Sequence, residues 1–113
     1  MNEKQIQIIT DLLIDNGLII NNINPLLKSD YTFCIRLASI RDYCYHLYID
    51  TLDSKVDIEL AMNRITYLLN SLALYRDSYG DSLVGTIGSQ MYMVMNSFFD
   101  KTNEAFHDFM LTL

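Results

Sequence analysis

A chain of 113 residues, half of them hydrophobic, 19% charged, with four glycines and one proline, has the composition of one folded domain, which excludes a disordered or collagen-like chain. Eight basic residues against 14 acidic ones leave a net charge of −6. That is the wrong sign for a phosphate backbone, so non-specific nucleic-acid binding is not expected.

The apolar spacing is helical nearly throughout and no segment alternates with strand period. The expected fold is therefore all-α, one domain over residues 1–113, built as an up-and-down four-helix bundle. The first helix is expected from about Asn2 to Asp15, with Ile6, Ile9 and Leu13 on one side, and Asn16-Gly17 as its stop, because both residues tolerate positive φ. Residues 18–28 then connect, and Asn24-Pro25 caps a short helical turn over Leu26 and Leu27.

Ser29 or Asp30 caps the second helix, which runs to about Asp50 with Phe33, Leu37, Ile40, Cys44 and Leu47 as its seam. Tyr31, Ile35, Ala38, Tyr45 and Ile49 lie on its other side. A helix apolar on both sides is central or faces a partner. The third helix starts at Asp53-Ser54 and runs to about Arg76 through Ile58, Ala61, Ile65, Leu68, Leu72 and Tyr75. The fourth begins near Ser82, or nearer Ser89 if Gly85 and Gly88 keep the segment open. It continues through Met95, Phe99, Thr102, Phe106, Phe109 and Leu113.

Ser82 to Phe99 carries no charge, but Ser82, Thr86, Ser89, Gln90, Asn96 and Ser97 interrupt it, so a buried helix rather than a membrane span is expected. The first residues lack the order of a secretory signal. Cys34 and Cys44, ten apart on one helix, lie roughly 15 Å apart along its axis and cannot bridge within one copy. Free thiols fit a reducing cytoplasm, the expected location.

Gly80-Asp81-Ser82-Leu83 spells the nucleophile signature of the GDSL hydrolases, but no strands and no downstream Asp-x-x-His accompany it, and it reads as a helix N-cap. Glu104 and His107 have the i, i+3 spacing of a di-iron bundle. A chain with only Glu3, Glu59 and Glu104 could complete that site only as a dimer, so a solvated or capping pair is the expected reading, with no metal or cofactor. Asp50, Asp53, Asp57 and Glu59 crowd the turn between helices 2 and 3 without the ligand pattern of a calcium loop, and make one end of the bundle negative. Asp77 and Asp81 add charge at the opposite end.

Arg41-Asp-Tyr-Cys-Tyr-His46-Leu-Tyr48 resembles the Arg-x4-His-x-Tyr motif of the HEPN ribonucleases, especially the HepT toxins. The resemblance implies a helical dimer in which Arg41 stabilises a phosphate, His46 serves as acid or base in 2′-OH attack, and Tyr48 is a control residue. Smallness, acidity and the lack of a strong catalytic signature point instead to a protein that acts by binding another protein. The sharper form of that expectation is an immunity or antitoxin-type inhibitor of a basic nuclease toxin; an adaptor shares the same physics. On this reading Asp50, Asp53, Asp57 and Glu59 steer the partner while Tyr43 and Tyr45 anchor it. A homodimer is compatible with either reading, and no membrane association is expected.

Overall fold

The computed structural model describes residues 1–113 and contains four α-helices and no strand: α1 (Glu3–Asn21), α2 (Tyr31–Leu52), α3 (Ile58–Asp77) and α4 (Ile87–Met110), with a 3-10 turn at Pro25–Ser29. Each helix packs on two neighbours: α1 on α2 and α4, and α3 on α2 and, most extensively, α4. Connections of nine, five and nine residues turn the chain back on itself between consecutive helices, and hydrogen bonds tie the neighbours together. Gln5, near the start of α1, donates to Thr112 just past the end of α4, and Asn16 in α1 reaches Cys44 in α2. Tyr43 in α2 donates to the Arg64 carbonyl in α3, and Arg76 in α3 to Asn96 in α4. Neighbours therefore run antiparallel, which makes the up-and-down four-helix bundle expected from the periodicity. No helix is long and apolar enough to cross a membrane.

The ends of the helices follow side-chain chemistry. Asn2 and Gln5 form a reciprocal capping box at α1, Asp30 caps α2, Asp57 caps α3 and Thr86 caps α4, each accepting from a first-turn N–H. Asn24 accepts from the Leu26 N–H to open the 3-10 turn, and Pro25 takes its first position.

Two expected boundaries are corrected, and the fourth helix takes the later of its two expected starts. Asn16-Gly17 does not stop α1, which continues to Asn21: Asn16 is buried against α2, and the half-buried Ile19 and Ile20 pack on the core, which outweighs the helix cost of about 1 kcal/mol for one glycine. The third helix starts at Ile58, not Asp53-Ser54. Ser54 takes a left-handed φ of 57° and Asp53 closes α2, while the buried Val56 plugs the end of the bundle. The fourth helix begins at Ile87, after Gly85 turns the chain at φ 83°, so Ser82 lies in a loop and Thr86, not Ser82, is the cap.

The core forms two clusters. The larger runs along the bundle through Leu12, Leu27, Phe33, Leu37, Ile40, Leu72, Met95 and Phe98. The smaller, Ile9, Leu47, Val56, Ala61, Ile65 and Phe109, closes the end that holds the α2–α3 turn. All five expected seam residues of α2 are buried. The expected stripe of α4 is rotated: its buried residues are Met91, Met95, Phe98, Thr102, Ala105 and Phe109, with Phe99 and Phe106 half-buried beside them. On α1 likewise, Gln5, Ile9, Leu12 and Asn16 face inward, and Ile6 and Leu13 flank them. In α3, Ala61, Ile65, Leu68 and Leu72 are buried, but Ile58 is exposed at the helix start and Tyr75 half-buried.

Candidate partner-binding site

The acidic turn between α2 and α3 is assembled, but much of its charge is engaged. Asp50 accepts a 2.8 Å hydrogen bond from the Arg64 guanidinium, which holds its carboxyl below the usual range. Asp57 is occupied as the cap of α3, accepting from the Leu60 N–H at 2.8 Å. Asp53 lies 4.0 Å from Lys55, both exposed, a contact that adds little. Glu59 is exposed in the first turn of α3. Asp50 is neutralised by Arg64, whereas Asp53, Asp57 and Glu59 keep exposed charge.

Tyr43 and Tyr45 do not share a surface with each other, because positions two apart on a helix point roughly 200° apart. Tyr43 leans on α3, where its hydroxyl donates to the Arg64 carbonyl at 3.1 Å and its ring stacks on Tyr67 with centroids 5.4 Å apart. Burial raises the Tyr43 phenol above its ordinary pKa, against the pull of Arg64. Tyr45 opens on the opposite flank, half exposed, at the groove between α1 and α2.

Arg41, His46 and Tyr48 are likewise divided. Arg41 is exposed and lines the α1–α2 groove together with Leu13, Gly17, Ile20, Ala38 and Tyr45. His46 lies in the shallower α2–α3 groove with Ser39, Tyr43, Asp50 and Arg64, and Tyr48 packs half-buried on the smaller core cluster. The His46 Nδ1 stands 2.8 Å from the Asp42 carbonyl oxygen. A carbonyl only accepts, so the proton sits on Nδ1 and Nε2 remains free. Arg41 and His46 of one chain thus open on different grooves, as their separation of about 140° around the helix requires.

A second acidic surface is one that local sequence reading did not assemble. Asp11 and Asp15 on α1 face Glu104 and Asp108 on α4 across a narrow groove floored by Ile8, Leu12 and Ala105. Lys101 is the one cation there, and its Nζ lies 3.6 Å from Glu104. Asp11 accepts only from the Gln7 amide, and neither it, Asp15 nor Asp108 has an ion-pair partner. The i, i+4 spacing within each helix was visible in the sequence. What was not visible was that antiparallel packing sets the two carboxylate pairs against each other.

No three His, Cys, Asp or Glu side chains converge to hold a metal ion, and His107 is exposed one turn from Glu104. Both cysteines are free. Burial pushes the Cys44 thiol up to about 12, against the opposing hydrogen bond from Asn16, so it stays protonated at neutral pH. Comparison with protein-family models, with curated proteins and with solved structures finds no match for this chain.

Proposed function

We propose that this is a small acidic helical protein that acts by protein–protein binding, as an inhibitor of the immunity or antitoxin kind directed against a basic toxin such as a nuclease. The observation that carries the reading is the α1–α4 groove, where Asp11, Asp15 and Asp108 have no compensating cation. Uncompensated carboxylates on a rigid pair of helices attract a basic surface at long range and present acceptors where a nuclease would hold phosphates. Asp53 and Glu59 extend the negative field at the α2–α3 turn.

The test starts from the chain expressed at native level in its host and purified gently, with the mass of what elutes and the identity of any stoichiometric partner determined. With that partner in hand, Asp11→Lys combined with Asp108→Lys slows association by about tenfold or more at low salt, and the difference shrinks at high salt. An association rate equal to wild type at low salt removes the steering role of the groove. A partner with an acidic contact surface removes the reading itself.

A second reading, a metal-independent ribonuclease of the HEPN type, draws support from the free Nε2 of His46, oriented by the Asp42 carbonyl. Because Arg41 opens on another groove, the two could meet only between copies. This reading expects RNA cleavage by the purified chain that His46→Ala abolishes while the circular dichroism spectrum is unchanged. Cleavage that survives the substitution eliminates it.

A further inference from the structure

α2 carries two apolar seams, and one of them has no partner. The inner seam, Phe33, Leu37, Ile40, Cys44, Leu47 and Thr51, is buried in the bundle. The outer one runs Tyr31, Ile35, Ala38, Asp42, Tyr45, Ile49 and Leu52, in alternating steps of four and three, the heptad spacing by which one helix packs on another. All of these are exposed except Ile49, which is half-buried, and Tyr31 shows 79% of its surface. On the α1 side the face continues through Leu13, Gly17 and Ile20 into a groove of about 790 Å³. Nothing stands within 4 Å of where a Gly17 side chain would begin, so the groove is open at that point.

We propose that this face is the contact between two copies of the chain, packed antiparallel along the outer seam of α2. Charge favours a second copy over a basic stranger. The seam and the groove beside it carry one cation and one anion, Arg41 and Asp42, and are neutral on a molecule of net charge −6. Elsewhere two copies repel, and a basic partner is drawn to the α1–α4 side. Neither Arg41 nor Asp42 has an ion-pair partner within the chain.

Register favours it as well. A two-fold contact makes each surface complementary to itself. An antiparallel pairing centred between Tyr43 and Cys44 sets Ile35 opposite Leu52, the small Ala38 opposite Ile49, and Asp42 opposite Tyr45, each twice by symmetry. The one carboxylate of the seam then meets a phenol that donates to it, and Ile35, Ala38, Ile49 and Leu52 each meet an apolar residue. A parallel pairing would set Asp42 against Asp42. The area is also adequate. α2 has 22 residues, about 33 Å at 1.5 Å per residue, and α1 beside it makes the face about 20 Å wide. That is on the order of 600 Å² in projection, close to the roughly 800 Å² per partner of a standard interface.

Sedimentation equilibrium across the micromolar range is expected to show a dimer that dissociates on dilution. Ile35→Lys and Ala38→Arg, at exposed positions that leave the core untouched, each yield a monomer with an unchanged circular dichroism spectrum. Tyr45→Phe raises the dimer dissociation constant roughly tenfold or more, since it removes two hydrogen bonds to a charged group. Orientation is read from a mixture of two Cys34→Ser variants, one also Ala38→Cys and the other Ile49→Cys, under mild oxidation. Antiparallel packing favours the mixed 38–49 disulfide over the 38–38 disulfide. A monomer at every concentration, a dimer indifferent to both charged substitutions, or a preferred 38–38 disulfide overturns the proposal. It stands or falls apart from the basic-partner reading, whose test residues Asp11 and Asp108 belong to the groove on the other side of α1.

Discussion

Phe98→Ala is expected to cost about 3–5 kcal/mol, a large share of the roughly 5–15 kcal/mol that holds a domain of this size together. Phe98 is fully buried on α4, in the cluster it shares with Phe33, Leu72 and Met95, where every wall is a helix held by its own capping residue and unable to collapse into the space. Urea unfolding followed by circular dichroism checks it: the midpoint falls sharply while the slope stays near the wild-type value. Phe99→Ala supplies the contrast. Phe99 is half-buried, with the Arg76 guanidinium 4.5 Å above its ring, so truncation costs clearly less. The two neighbours report which face of α4 is inward; equal losses, or a greater loss at Phe99, would contradict the rotation of this helix in the bundle.

That contrast also shows why some seams were legible and others were not. On α2 the inner positions are large and apolar at consistent steps of four and three, and the stripe read from the sequence is the buried one. On α4 the apolar residues fall in adjacent pairs, Phe98-Phe99 and Ala105-Phe106, and either member of a pair satisfies a helical period. Which member turns inward is decided by the fit against α1 and α3, not by α4 itself. On α1 the inward positions include Gln5 and Asn16, which no hydrophobic pattern would select. Gln5 is buried because its amide closes the capping box and donates to Thr112, tying the two ends of the chain together. The premature stop assigned to Asn16-Gly17 has the same origin: the residue types favour a helix end, and tertiary burial overrides them.

The candidate surfaces divide along the same line. The second apolar side of α2 was visible because it lies within one helix, and it is the side the bundle leaves uncovered. The acidic α1–α4 groove pairs residues some 90 positions apart and could not be seen before the topology was known. The acidic turn was visible, but composition does not reveal that Asp50 is met by Arg64, 14 positions on, or that Asp57 caps the first turn of α3. Tyr43 and Tyr45, two positions apart on α2, serve opposite flanks.

Asn16→Leu is expected to stabilise the fold, an unusual sign for a substitution at a buried position. Asn16 lies inside the bundle with 1% of its surface exposed; its Nδ2 donates to the Cys44 sulfur at 2.7 Å and its Oδ1 has no partner. That unpaired oxygen costs about 1–3 kcal/mol. Leucine has the same branching at Cγ, removes the unpaired atom, leaves only a weakly bonding thiol behind, and is the better helix former. Its larger methyl groups can relax toward the open groove that Asn16 adjoins beside Gly17. Unfolding should therefore shift upward by about 1–3 kcal/mol, or several degrees in Tm. Asn16→Ala, which removes the same orphan but leaves a void, gains less or nothing. A destabilised Asn16→Leu would mean that the Asn16 oxygen is satisfied in solution, and that this amide stabilises the α1–α2 contact instead of weakening it.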